Sequence, residues 1–270
     1  MAEDIFSVAG QVIVITGGLG MLGREFATCL QERGAKVAIF DTRNDDQFVR
    51  SKYGDKAKDF LFLKVDVTKR SSIEAGLEDL KSKWGVPHGL INNAALDSPP
   101  DAPAQENGPF ETYPEQSWDK VMAVNTKGVF LSCQVLGGAM AALGRGSIIN
   151  VSSIYGLVSP DQRIYEYRAA GGAPFFKPVA YSVSKSGLFN LTRYLATYWA
   201  PKGVRVNTVT FAGVFNNQDE HFLKGYLQRM PMGRMARAGE YNGAIVFLLS
   251  EASSYMTGSN MVIDGGWTAW

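Results

Sequence analysis

One stretch near the start constrains the fold more than any other. Gln11-Val12-Ile13-Val14-Ile15 is a short, β-branched apolar run without polar alternation, the composition of a strand buried on both faces. Thr16-Gly17-Gly18-Leu19-Gly20-Met21-Leu22-Gly23 follows at once, then a helical pattern over 24–33 closed by Gly34. Lys36-Val37-Ala38-Ile39-Phe40 is a second strand, ending at Asp41. A strand, a helix and a strand in about 30 residues make one βαβ unit, which demands a parallel sheet with helices packed on it. Gly18, Gly20 and Gly23 form Gly-x-Gly-x-x-Gly between strand and helix. Glycine permits the tight turn and the close approach of backbone to a pyrophosphate, and the helix N-terminus supplies N–H donors. The pattern therefore predicts a dinucleotide site, with Gly17, Gly20, Met21 and Leu22 against the cofactor. Asp41 and its neighbour Thr42 close the second strand, where a carboxylate accepts hydrogen bonds from ribose hydroxyls and repels a 2′-phosphate, favouring NAD over NADP. Arg43 tempers that preference, because a nearby guanidinium accommodates such a phosphate.

The alternation continues. Strands are expected at 60–65 (ending at Asp66), 89–92, 146–151, 204–209 and 260–264, and helices at 71–84 (with Ser71 or Ser72 as N-cap), 117–143, 181–200 and 240–249. Seven strands alternating with helices specify an α/β fold: a single-domain, doubly wound parallel sheet with helices on both faces. Two stretches interrupt the rhythm. Residues 96–116 carry Pro99, Pro100, Pro103 and Pro109 with five acidic residues and no Lys or Arg. Residues 157–178 carry Gly171-Gly172 and the aromatics Tyr165, Tyr167, Phe175 and Phe176. Both are expected as insertions without regular structure, on the strand-end side where such sheets bind ligands. A third segment, 214–238, is expected to form a mobile substrate lid.

A net charge of +1 over 270 residues provides no field for nucleic acid or an anionic membrane. No apolar run of the ~20 residues that span a bilayer stands out, and the acidic start Met1-Ala2-Glu3-Asp4 lacks a signal-peptide pattern, so a cytoplasmic location is expected. Cys29 and Cys133 with His88 and His221 make no metal spacing. The cysteines and His88 read as structural residues.

Tyr181-Ser182-Val183-Ser184-Lys185 places a phenol and an ammonium on one helix face, one turn apart. A fixed cation there lowers the phenol's pKa and suits it to proton transfer. By itself the pair is equally a packed Tyr beside a solvated Lys.

With its companions, the chain resembles the short-chain dehydrogenase/reductase family from about Gln11 to Trp267. The motifs are the glycine turn, Asp66-Val67, Asn92-Asn93-Ala94-Ala95, Asn125 in Val124-Asn125-Thr126-Lys127-Gly128, Ser152-Ser153, Tyr181 with Lys185, and Asp264-Gly265-Gly266. The resemblance implies that Asp66 and Val67 bracket adenine. Asn93, Ala94 and Ala95 line the cofactor, and Gly213 and Val214 hold the nicotinamide end. Tyr181 is the general acid and base, Lys185 tunes it and holds the ribose, Ser153 binds the substrate oxygen, and Asn125 holds a water in a proton path. Ser153 is chosen over Ser152 because the family uses the second residue of the pair. The family pattern is departed from at three places. Met21 stands where most short members have Gly. Ala212-Gly213 replaces Pro-Gly, which should soften that loop. Ser153 and Tyr181 lie 28 positions apart, farther than is usual, because the aromatic insertion intervenes. The glycine turn, Ala212 to Gln218 and the end Gly265 to Trp270 also resemble oxidoreductases of flagellin-modification and acidic-sugar pathways.

The expected reaction is NAD-linked hydride transfer at a secondary alcohol or ketone, on a polar, sugar-like or hydroxy-acid substrate. Arg163, Arg168, Lys177 and the loop aromatics are candidates to meet it, and His221 a weaker one. A hydrophobic cyclic ketone, a 3-oxoacyl thioester, a non-catalytic NAD(P) sensor and an epimerase or dehydratase remain open. The family implies a homotetramer built on the two long helices, and Trp267 and Trp270 read as interface or pocket-edge residues.

Overall fold

A computed structural model describes residues 4–43, 51, 53–97, 104–169 and 174–270. Its seven strands are β1 (Val12–Thr16), β2 (Lys36–Asp41), β3 (Phe60–Lys64), β4 (Gly89–Asn92), β5 (Gly146–Ser153), β6 (Val204–Phe211) and β7 (Asn260–Ile263). They form one sheet in the order β3-β2-β1-β4-β5-β6-β7, and every pairing is parallel. The helices that matter here are α1 (Met21–Glu32), α2 (Arg70–Trp84), α3 (Glu115–Leu143), α4 (Ile154–Leu157), α5 (Val179–Trp199), α6 (Glu220–Leu227) and α7 (Asn242–Leu249). The order reverses between β1 and β4, the switch point at which such sheets open a crevice at their carboxyl edge.

The unbroken apolar run of β1 is explained by its two faces. Ile13 and Ile15 join a core with Phe26, Leu30, Ile245 and Leu249 from α1 and α7. Val12 and Val14 join the opposite core with Ile73, Leu80, Leu136 and Leu188 from α2, α3 and α5. Alternate side chains point to opposite faces, so a strand covered on both must be apolar throughout.

Several expectations change. Neither Ser71 nor Ser72 caps α2: the cap position is Lys69, without a side-chain bond. The chain turns earlier because Asp66 accepts from the Thr68 backbone and hydroxyl. The Ser72 hydroxyl instead accepts from the Asp66 N–H at 3.0 Å, tying helix to strand end. α3 does have the length and apolar composition of a membrane span, and half of that stretch is buried within the fold. Its apolar content serves the sheet-facing core. It is also interrupted by two π-turns, Ala123–Lys127 and Cys133–Gly137.

The insertions carry more regular structure than expected. The first holds the 3₁₀ turns Ala104–Glu106 and Phe110–Thr112, and the second the 3₁₀ helix Gln162–Ala169. The Phe176 N–H donates to the Asn107 carbonyl at 2.8 Å, joining the two. Pro99, Pro100, Pro103, Gly171 and Gly172 lie outside the described residues. The expected lid contains α6, capped by Asp219, whose carboxylate accepts from the Phe222 N–H at 2.9 Å. A third apolar cluster forms where these pieces meet: Tyr155, Ile164, Tyr165, Tyr226, Met235 and Trp267 among others. Trp267 is thus an interior residue, packed on Tyr226 with ring centroids 4.4 Å apart, whereas Trp270 is exposed on this chain.

Candidate active site

A parallel sheet brings the carboxyl ends of all its strands to one edge, and the candidate residues stand along it. The turn after β1 is built as the glycine pattern requires. Gly17 has φ +63°, and a Cβ there would sit 2.7 Å from the Ala94 Cα. At Gly23 a Cβ would sit 2.5 Å from the Gly17 carbonyl oxygen, so this position is set by helix-to-turn packing. Gly20 occupies the N-cap of α1 and offers no side-chain bond to the helix N–H groups. These features fit a pyrophosphate, which needs free backbone donors at a helix start. Asn93 braces the turn: its amide donates to the Thr16 and Gly17 carbonyls at 3.1 and 3.0 Å. Thr16 Oγ1 accepts from the Asn93 and Ala94 N–H groups, each at 3.1 Å.

Asp41 is buried at the end of β2 and accepts from the Leu19 and Arg43 N–H groups, each at 3.1 Å. The Arg43 guanidinium lies 3.9 Å from the same carboxylate. Thr42 is exposed beside it. Asp66 is engaged with Thr68 and Lys69, and the Thr68 bond leads in holding its carboxyl below the usual range. Val67 is buried against Gly128 on α3.

A cleft of about 640 Å³ opens beside this edge. Of the predicted residues, Met21, Leu22, Asn93, Ala95, Ser153, Tyr181, Lys185, Gly213 and Val214 line it. Gly17, Gly20, Asp41, Thr42, Asp66, Val67 and Ala94 stand off its wall, and Asn125 is wholly buried behind it. Asn125 sits in the first π-turn of α3, accepts from the Leu96 N–H at 2.7 Å, and donates to the Leu96 carbonyl and Ser184 Oγ. A π-turn adds one residue to the helix and redirects a side chain inward, a device common at functional sites. Here it locks the segment after β4 to α5.

The two serines part company. The Ser152 hydroxyl donates to the Lys185 carbonyl at 3.0 Å. The Ser153 hydroxyl shares the cleft wall with the Tyr181 phenol and caps α4 by accepting from the Tyr155 N–H at 3.2 Å. Its catalytic and capping readings are therefore compatible.

Burial outweighs the neighbouring cation at Tyr181, and the phenol stands above its ordinary range. The Lys185 ammonium is buried, donates to the Val151 carbonyl at 2.8 Å, and lies 5.8 Å from the Tyr181 ring centroid. Burial is the main influence on the phenol, Asp97 raises it further, and the Ser153 hydroxyl opposes both. Burial also pulls the Lys185 ammonium down to about 8, against the pull of Asp97.

The Ala212-Gly213 loop is braced without its proline. The Tyr241 hydroxyl donates to the Ala212 carbonyl at 2.9 Å, the Gly213 N–H donates to the Tyr226 hydroxyl at 2.7 Å, and the Phe215 N–H donates to the Ala236 carbonyl at 2.9 Å. The insertion residues also sort themselves. Tyr165, Tyr167, Arg168, Phe175 and Lys177 line the cleft, whereas Arg163 and Phe176 do not. Arg163 is bound to Asp161 at 2.7 Å. His221 stacks on Tyr167 at 5.6 Å, off the cleft wall. His88 is structural, its Nδ1 accepting from the Val12 N–H at 3.1 Å. Cys133 is buried and Cys29 partly so, both as free thiols. Asp97, Tyr155 and Asp219 are cleft residues that the sequence did not single out. The signal for Asp97 was there, in an acidic insertion directly after Asn92-Asn93-Ala94-Ala95.

Over residues 20–268 the chain matches the family described as enoyl-(acyl carrier protein) reductase. It is 30% identical over 268 residues to the NAD-dependent glycerol dehydrogenase of Listeria innocua, a match covering 97% of this chain and 96% of that protein. Among solved structures it is similar to a short chain dehydrogenase from Leptospira borgpetersenii with bound NAD+, at 30% identity and TM-score 0.85, covering 99% of this chain and 97% of that one. It is also similar to a gluconate 5-dehydrogenase from Burkholderia cenocepacia in complex with NADP and tartrate, at 25% identity and TM-score 0.84, covering 99% of this chain and 98% of that one.

Proposed function

This chain belongs to the short-chain dehydrogenase/reductase family, and we propose that it is an NAD-linked dehydrogenase of a polar, hydroxyl-bearing secondary alcohol or the matching ketone. The observation that carries the reading is the meeting of Ser153, Tyr181 and Lys185 on one cleft wall beside the glycine turn, with the Lys185 ammonium 5.8 Å from the Tyr181 ring centroid. The nicotinamide of a bound cofactor supplies hydride transfer. Gly17, Gly20, Met21 and Leu22 hold its pyrophosphate end, Asp41 and Thr42 the adenosine ribose, Asp66 and Val67 the adenine, and Asn93, Ala94, Ala95, Gly213 and Val214 the remainder. NAD is preferred because a carboxylate ends β2 and the Arg43 guanidinium beside it is turned to that carboxylate.

The protein's own residues handle the proton. Ser153 donates a hydrogen bond that orients the substrate oxygen toward Tyr181. Burial keeps Tyr181 protonated at neutral pH, ready to donate to a ketone oxygen; in alcohol oxidation the phenol first releases its proton to solvent, and the phenolate then accepts the carbinol proton. Lys185 places a positive charge beside the phenolate as it forms, and Asn125 holds the backbone along the route from Lys185 to solvent. Residues 214–238 cover the cleft as a lid, and the chain works as a cytoplasmic homotetramer.

The test is turnover of an alcohol and ketone panel with NAD or NADH, followed by NADH absorbance. Tyr181→Phe should bind NAD as tightly as the parent while turnover falls by about 10²–10⁴, the usual worth of a positioned proton donor. Undiminished turnover in that variant would overturn the assignment.

A further inference from the structure

The two insertions meet in one charge pair at the catalytic centre. Asp97 comes from the segment after β4 and Lys177 from the end of the aromatic insertion; the Lys177 ammonium bonds the Asp97 carboxylate. That ammonium also lies 5.0 Å from the Tyr181 ring centroid, nearer than Lys185 at 5.8 Å. Lys177 is held by its backbone: its N–H donates to Gln162 Oε1 at 2.9 Å, and Gln162 Nε2 donates to its carbonyl at 3.3 Å. Behind Asp97, Asn125 fixes both polar backbone groups of Leu96. Both members of the pair therefore stand on braced backbone.

The pair is asymmetric toward the cleft. The Lys177 side chain is 8% exposed and that of Asp97 58% exposed, and both line the cavity. A molecule entering meets the carboxylate, with the ammonium beneath it. The other cations on the wall are committed elsewhere: Lys185 to the Val151 carbonyl, and Arg168 to the face of Phe175, 4.8 Å from its centroid. A second carboxylate, Asp219, also lines the cleft and accepts from the Tyr167 hydroxyl at 2.5 Å.

We propose that Asp97, fixed by Lys177, determines substrate specificity by accepting hydrogen bonds from hydroxyls next to the reacting carbinol, selecting uncharged polyols and excluding alcohols that carry a carboxylate. An ionised carboxylate only accepts, and its roughly four lone-pair positions let the Lys177 bond and a substrate hydroxyl share it. A substrate carboxylate set against Asp97 would meet an acceptor of like charge in place of a donor. The inference rests on the dehydrogenase reading above and narrows its substrate to one chemical class.

The experiment compares erythritol and threitol with erythronate and threonate, NAD in each case, in the full-length enzyme and in Asp97→Asn and Asp97→Glu. The parent should favour the polyols in kcat/KM by roughly tenfold or more, the worth of one charge-assisted hydrogen bond. In Asp97→Asn the polyol KM should rise by a similar factor with the loss mainly in KM, the aldonate KM should fall, and Asp97→Glu should restore much of the preference. The charged and titratable groups facing Tyr181 are Asp97, Lys177, Lys185 and Tyr155. Loss of the Asp97 charge should therefore also shift the acid limb of the kcat/KM profile to lower pH, which a merely structural role would not do. Turnover with an aldonate preference in the parent, or an unchanged preference in Asp97→Asn, overturns the role of Asp97 and leaves the dehydrogenase reading standing. No turnover on either class or on the wider alcohol panel overturns that reading and takes this inference with it.

Discussion

Replacing Lys185 by Met should make the protein more stable at neutral pH while removing its activity. Lys185 is 3% exposed, and its ammonium donates to the Val151 carbonyl. Burial lowers its pKa from 10.5 to about 8. Below pH 8 the lysine is charged in both folded and unfolded chains, so the folded state carries the whole penalty. At about 1.4 kcal/mol per pKa unit, that penalty is about 3 kcal/mol. Met has a similar length, is flexible enough to fill the site, and brings no charge. It does orphan the Val151 carbonyl, at about 1 kcal/mol. The expected net gain at pH 7 is about 2 kcal/mol, or roughly 4–8 °C in melting temperature for a chain of this size. Between pH 8 and 10.5 the folded parent has shed its proton while the unfolded chain still binds one. Parental stability therefore rises with pH relative to the variant, and the gap should close toward pH 10. Thermal melts of both proteins from pH 6.5 to 10 read this directly, with NADH turnover as the companion assay. A variant less stable than the parent at pH 7, or a gap constant across the range, refutes the claim that this lysine is retained at a cost to the fold.

Two further substitutions test the scaffold. Gly23→Ala places a Cβ 2.5 Å from the Gly17 carbonyl oxygen and 2.7 Å from the Gly18 Cα, so it should cost ~1–3 kcal/mol as overpacking; because the displaced atoms form the phosphate turn, NAD affinity by calorimetry should fall roughly tenfold, and unchanged affinity would remove this turn from the cofactor site. Thr192→Val keeps the shape of a buried residue but strips the hydroxyl that accepts from Asn150 Nδ2 at 2.8 Å and meets Thr208 Oγ1 at 2.7 Å; the orphaned amide should cost about 2 kcal/mol in denaturant unfolding, and a neutral result would mean that this ladder across β5, α5 and β6 is slack.

Much of the architecture was legible because local pattern and global fold agree. The apolar run at Val12 to Ile15 has no polar face to turn to water, so it had to be an interior strand of a covered parallel sheet. The cap of α2 was not legible, because Ser72 answers to Asp66 across a strand end rather than to its own helix. Nor was the order within the long insertion. Its 3₁₀ helix stands on contacts with α6, such as Tyr165 with Phe222 and Tyr167 with His221, between segments far apart in sequence. Local composition carries no trace of such partners.

The sequence by itself determined the sheet, the glycine turn and the presence of a phenol and an ammonium one helical turn apart, because these depend on backbone geometry and on residues near one another in the chain. Only the tertiary structure decided what those groups experience. Burial sets the Tyr181 phenol high and the Lys185 ammonium low, the Ser152 hydroxyl turns to the Lys185 carbonyl, and Lys177, bonded to Asp97, lies over the phenol ring. Desolvation and charge act through space, and distance along the chain does not measure them.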